Sequence, residues 1–349
     1  MRIDGIAGVL AALAACVGAA VLLGRVWDRA RRTGRILAAA ASLVSVLATA
    51  GLELNRLTET YPTWGALAGA APTSASPGRS SGTATAATGS QVVTLKVAGR
   101  GTGMTMPAYV YLPAAYRTAA GRDARFPVIE ALHGYPGSPR TWLNRLGVQA
   151  HLDAEIAAGR MAPTVVVFPY LTPAPLLDTE CTNLVRGPKA ETYLTVDVPA
   201  AIRAHFGVRA DRAGWAVTGF SAGGFCATDL LLRHPDRYAA AASLSGYAAP
   251  GIAIGDGSEN TTANAAWRLR HLPAPAASLY LGYAADDKHA CRDARLLAGL
   301  ARSPLEVTTA VVAHGGHSDA VWETMEGPAF DWLGARLARP ARVDGVVAR

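Results

Sequence analysis

The chain has 349 residues, 50% hydrophobic and 17% charged, with 36 Gly and 21 Pro, which fits one large loop-rich globular domain with further segments and excludes a largely disordered chain. Its net charge of +7 comes almost entirely from arginine, the lysines being Lys96, Lys189 and Lys288; with such heavy Ala, Arg and Gly usage, the excess is weak ground for nucleic-acid binding and none is expected. No zinc-ligand spacing and no phosphate-binding glycine loop with a following Lys-Ser/Thr occurs, so the sequence calls for no metal and no cofactor.

In chain order, residues 6–23 and 36–52 are two uninterrupted apolar runs that approach the length of a bilayer span. Arg25, Arg29, Arg31, Arg32 and Arg35 lie between them against a single Asp28. By the positive-inside rule this loop is cytoplasmic, so everything after residue 55 is expected on the extracytoplasmic side of the cell membrane. A cleaved signal peptide is the rival reading of the first run, but its amino end offers only Arg2 offset by Asp4, and the basic cluster follows the run. Neither run has the polar face of a soluble hairpin helix. Residues 1–56 are therefore expected to form a two-span transmembrane anchor. Residues 57–90 read as a juxtamembrane segment, with Tyr61 and Trp64 suited to the interface, followed by a Ser/Thr/Ala-rich tether over 70–90.

From residue 91 to 340 the pattern is that of an α/β domain, with 341–349 left as a tail. Residues 126–132 read as a buried strand ending in the turn-forming His133-Gly134-Tyr135-Pro136. Residues 165–168 are a second strand, followed by a long loop over 169–193 that carries Asp178 and Glu180. Residues 215–220 run into Gly219-Phe220-Ser221-Ala222-Gly223 and then a helix, the sequence form of a nucleophile elbow. A strand over 277–283 ends at Asp286 and Asp287, and one over 305–313 is followed by His314 and His317. Taken singly, an Asp-Asp turn and a Gly-Gly-His loop are ordinary surface features. Together they follow strands in the order Ser, Asp, His that an α/β-hydrolase requires.

His317 opens a helix-like segment, and a base at a strand-to-helix junction can swing its ring over the nucleophile; His314 is expected to hydrogen-bond within the loop or to line its base. Asp286 is preferred as the orienting carboxylate because it comes first after the apolar strand, with Asp287 as the alternative. Two backbone N–H groups must face the developing oxyanion, and Ala222 and Tyr135 hold the corresponding places in the chain. The loops 169–193 and 246–275 follow strands on the same side, where substrate pockets form; Asp178 and Glu180 are read mainly as loop structure. Cys181, Cys226 and Cys291 fall in this domain. Either Cys181 pairs with Cys226, as an oxidising exterior permits, or all three are small buried apolar residues.

Leu-His-Gly-Tyr-Pro-Gly, Gly-Phe-Ser-Ala-Gly-Gly, the Asp-Asp turn and Gly-Gly-His-Ser-Asp-Ala-Val-Trp together resemble the putative-esterase family of α/β-hydrolases, which includes esterase D and the mycobacterial mycolyltransferases. The resemblance covers roughly residues 91–337. It implies an α/β-hydrolase fold, a mostly parallel sheet with helices on both faces, here preceded by the transmembrane hairpin. It implies serine chemistry with Ser221 as nucleophile, His317 as base and Tyr135 and Ala222 as oxyanion donors. In the mycolyltransferases the acid is a glutamate, whereas only aspartates stand at this strand end. The chain is thus expected to be a serine esterase acting on a small-molecule, lipid or glycan ester. Acyl transfer to sugar or glycerol hydroxyls is the alternative, and a catalytically silent membrane-displayed binding domain the remote one.

Overall fold

The computed structural model describes residues 6–29, 31–58 and 89–342. The chain falls into two compact units, Met1–Ser74 and Ala75–Arg349. The expected tether over 70–90 lies almost wholly outside the described residues, as does most of the tail 341–349.

In the first unit, α1 (Ile6–Val26) and α2 (Arg32–Thr58) follow the two apolar runs. Each is long and apolar enough to cross a membrane, and neither is buried within the protein. The Ser42 hydroxyl donates to the Ala19 carbonyl at 3.2 Å across the pair, which therefore packs as a hairpin. In an apolar solvent a hydroxyl finds its acceptor on a neighbouring helix backbone, and leucines can face the lipid.

The second unit is built on one eight-stranded sheet. Its strands are β1 (Gln91–Ala98), β2 (Thr105–Leu112), β4 (Val128–Leu132), β5 (Val165–Pro169), β6 (Trp215–Phe220), β7 (Ala240–Leu244), β8 (Ser278–Ala284) and β9 (Glu306–Val312); the short β3 (Ala124–Arg125) pairs separately with β10 (Ala341–Arg342). The order across the sheet is β1-β2-β5-β4-β6-β7-β8-β9. Within this sheet β1 and β5 run antiparallel to β2, and the remaining pairings are parallel. The central strands β4, β5, β6 and β7 are buried at every residue, because helices cover both faces. Edge strand β9 keeps polar, half-exposed positions instead.

Alternation along the strands divides the core into two layers. Val128 and Leu132 of β4 join Ile202, Leu230 and Leu297 on one face, whereas Ile129 and Ala131 join Leu152, Met325 and Phe330 on the other. Helices Val198–His205, Ala222–Arg233 and Lys288–Leu300 supply the first layer, and Val148–Ala157 and Asp319–Gly334 the second. Since β4 and β6 to β9 are parallel, the loops after them leave the sheet at one edge. That edge gathers the segments beginning at His133, Ser221, Ser245, Ala285 and Ala313, the position where open α/β sheets bind ligands.

Candidate active site

Ser221 stands between β6 and the helix Ala222–Arg233 with φ 55° and ψ −122°, a left-handed conformation costly for a residue with a side chain. Its N–H donates to the Leu244 carbonyl at the end of β7, which holds the turn in place. A Cβ on Gly223 would lie 2.3 Å from the Leu132 carbonyl oxygen and 2.6 Å from that of His133, both rigid backbone. Only glycine lets the helix approach β4 so closely. Ala222 is the first helical residue, so its N–H belongs to the turn that has no partner within the helix.

The Ser221 hydroxyl donates to His317 Nε2 at 2.8 Å, and His317 Nδ1–H donates to Asp287 Oδ2 at 2.6 Å. The sequence preference for Asp286 is therefore corrected, since Asp287 holds the imidazole. The reason is local. The Asp287 N–H turns back to the Ala284 carbonyl at 3.2 Å, so the chain bends before Asp287 and carries it to the N-cap of helix Lys288–Leu300. There its Oδ1 accepts from the Ala290 N–H at 3.1 Å, leaving Oδ2 for the histidine. The signal was an Asp immediately before an amphipathic helical run, a favoured N-cap residue. Asp286 remains exposed and accepts from Gly316 N–H at 2.9 Å and Gly315 N–H at 3.1 Å. Those two backbone bonds hold its carboxyl below the usual range. Asp286 thus braces the loop that carries His317. His314 is exposed on that loop, beside Asp286, and does not line the loop's base.

An aromatic block supports this arrangement. Trp322 meets the His317 ring edge-on at 5.0 Å and stacks on Phe220 at 4.6 Å, and Phe220 packs against Trp142 at 5.0 Å. Phe220, which precedes Ser221, and His317 therefore share one contact, Trp322, five positions after His317. The final Trp of the Gly-Gly-His motif was legible in the sequence, but its place against the ring was not.

Tyr135 lies in the loop after β4. A Cβ on the preceding Gly134 would come within 3.3 Å of Ser221 Cβ and 2.9 Å of the Phe220 ring, so this backbone runs directly over the elbow. His133 is buried, with Nδ1 at 2.7 Å from the Gly134 carbonyl and Nε2 accepting from the Leu171 N–H at 3.3 Å. A carbonyl only accepts, so Nδ1 carries the proton and the ring is neutral; burial pushes its pKa down to about 4. The planar peptide makes the Tyr135 N–H point opposite to the Gly134 oxygen that His133 holds. The sequence pointed to His133 as part of the turn without giving it this function.

The two long loops are stitched to the site. A disulfide joins Cys181 to Cys226 in the helix after Ser221, as one of the two sequence readings has it, and Cys291 is a buried free thiol. Glu180 Oε1 accepts from the Tyr247 hydroxyl at 2.6 Å and Oε2 from the Gly251 N–H at 2.7 Å, while Asp178 accepts from the Glu180 N–H at 3.0 Å. Burial raises the pKa of both carboxyls. Their bonding within the loops is structural. The Tyr135 hydroxyl donates to the Leu176 carbonyl at 2.8 Å. Beyond it an open groove of about 600 Å3 is lined by Leu177, Leu184, Val185, Pro188, Ala253 and Ile254, with Arg186 beside them. The Val185 N–H donates to the Ile254 carbonyl at 3.1 Å, which fixes the two walls against each other.

The model of the family described as Putative esterase matches residues 100–345. The chain belongs to the Putative esterase family. An uncharacterised protein of Corynebacterium glutamicum is 27% identical over 245 residues, 66% of this chain and 57% of that protein, so the chain spans little more than half the length of that relative. Among solved structures, a ferulic acid esterase superposes with a TM-score of 0.61 at 19% identity, covering 72% of this chain and 99% of that one. An S-formylglutathione hydrolase from Agrobacterium tumefaciens gives 0.59 at 17% identity, over 72% and 97%. At these identities the likeness establishes the α/β-hydrolase fold.

Proposed function

We propose that this esterase works through an acyl-enzyme formed on Ser221. As Ser221 Oγ bonds to the ester carbonyl carbon, its proton passes to His317 Nε2, and Asp287 stabilises the resulting imidazolium. The Tyr135 and Ala222 N–H groups receive the oxyanion, with Tyr135 aimed by the His133 bond to Gly134. Collapse breaks the C–O bond to the alcohol, which leaves with the proton held by His317. Water then gives its proton to His317, attacks the acyl carbon and releases the acid and Ser221. The observation that carries this reading is the unbroken chain Asp287–His317–Ser221, with hydrogen bonds of 2.6 and 2.8 Å. An intact triad leaves the silent-domain reading without support.

Hydrolysis is favoured over acyl transfer because the His317 side chain is 43% exposed, which leaves water free access to the base. A sugar or glycerol hydroxyl arriving by the same route would yield transfer. The aliphatic groove beyond Tyr135 suits the apolar part of the substrate. The arginine-rich turn between two helices of membrane-spanning length supports an anchor with the catalytic domain, 91–340, on the extracytoplasmic side.

One experiment tests chemistry and placement together. Intact cells and lysed membranes producing the full chain or Ser221→Ala are treated with a membrane-impermeant fluorophosphonate. Labelling of the parent in both preparations, and of the variant in neither, is expected. Labelling only after lysis would overturn the placement, and none in either would overturn the nucleophile.

A further inference from the structure

The amino end of the sheet, opposite Ser221, carries a second cavity. Arg122 and Arg125 precede β4, whereas the elbow follows its parallel neighbour β6, so the two places lie at opposite ends of the strands. A cavity of about 410 Å3 opens there, walled by Tyr116, Arg122, Arg125, Arg203, His205 and Phe206. Arg203 also lines an adjoining cavity of about 190 Å3 with Arg212 and Arg237, where Asp236 is the one acidic side chain among the residues lining either cavity.

Among the described residues, none of these five guanidinium groups is paired with a carboxylate. Arg237 and Arg203 act on the buried Glu130 carboxyl, but burial pushes its pKa up to about 8, so it is largely protonated at neutral pH and cancels little of their charge. The other contacts fix position. Arg125 donates to the Ala124 carbonyl, Arg212 to that of Tyr238, Arg237 to that of Thr195, and Arg203 lies 5.8 Å over the Trp215 ring. Arg203 and His205 also sit in the last turn of helix Val198–His205, where the helix dipole favours cations. That accounts for those two. It does not account for Arg122 and Arg125, which come from a separate segment some 80 residues away and share the same cavity.

Two of the lining residues, Tyr116 and Phe206, are aromatic. Tyr116 lies 5.3 Å from Phe126 and 6.3 Å from Phe206, and its hydroxyl accepts from the Gly207 N–H at 3.0 Å, so the ring is held rigidly. Guanidinium forks match phosphate oxygens in pairs, and an aromatic face suits the C–H side of a polyol. We propose that this cavity is a binding site for a phosphate group carried on glycerol or a sugar, separate from the ester-cleaving centre.

The test is calorimetric titration of the full chain, in phosphatidylcholine nanodiscs, with glycerol 3-phosphate. Saturable one-to-one binding is expected. Arg122→Ser/Arg125→Ser should weaken it by about tenfold or more, as loss of paired charge-assisted bonds requires. Arg270→Ser/Arg302→Ser removes the same charge from exposed positions elsewhere and should leave it unchanged. Fluorophosphonate labelling of Ser221 in both variants reports that each is folded. Doping the discs with phosphatidylglycerol separates the ligand sources: competition with glycerol 3-phosphate assigns the site to a lipid headgroup, and unchanged binding to a soluble phosphate. No saturable binding, or equal weakening in the two double variants, would overturn the site.

Discussion

Replacing Asp287 and Asp286 separately by Asn distinguishes two carboxylates that adjoin in sequence and differ in what they hold. Asp287 Oδ2 receives His317 Nδ1–H at 2.6 Å from a nearly buried position, whereas Asp286 is exposed and receives two loop N–H groups. An amide at position 287 can present its NH2 to Nδ1, which selects the wrong tautomer, and it cannot stabilise imidazolium. Where triad geometry is otherwise kept, that exchange costs roughly 10⁴ in kcat, or about 5 kcal/mol of transition-state stabilisation. Asn is as good an N-cap as Asp, so helix Lys288–Leu300 keeps its bond from Ala290 and the melting temperature should barely move. Asp286→Asn retains one acceptor for two donors on an exposed loop, and its loss should stay below about tenfold. The assay is kcat and KM for p-nitrophenyl acetate, with a thermal melt of each variant. A fall of several thousandfold in Asp286→Asn, with Asp287→Asn close to the parent, would refute the assignment. So would an Asp287→Asn loss that merely tracks unfolding.

Two further outcomes follow from buried groups. His133 is neutral in the folded protein down to about pH 4, whereas its ordinary value is 6.5, so between these values the unfolded chain binds a proton that the folded one refuses. Its contribution is fully present above pH 6.5 and is lost as pH falls toward 4, by about 3 kcal/mol; His133→Gln should flatten the melting temperature over that window, and parallel curves would disprove the link. Cutting the Cys181–Cys226 bond, which spans a sequence separation of 45, should cost about 4 kcal/mol in the chain-entropy model, read as a lower denaturant midpoint in Cys181→Ala/Cys226→Ala. An unchanged midpoint would mean that the loop is held by Glu180 and its partners alone.

Much of the site was legible because its signals are local. The elbow requires glycine beside Ser221 within five residues, and the strand-then-polar-loop pattern repeats wherever a parallel strand ends. Chain order alone then set Ser221 before the aspartates and the aspartates before His317. The sequence likewise marked the two apolar runs and the arginine cluster between them, since span length and charge bias are read along the chain.

Choices between neighbours needed three dimensions. Counting from the strand favours Asp286, whereas a single turn from Ala284 brings Asp287 to His317. The cysteine pairing was one of two open readings until the loop after β5 was seen against the helix after β6. The bond from His133 to Gly134, the ring of Trp322 behind His317, and the meeting of Arg122 and Arg125 with Arg203 left no periodic trace. Each depends on where separate segments pack, and packing is set by the whole core rather than by the residues adjacent in the chain.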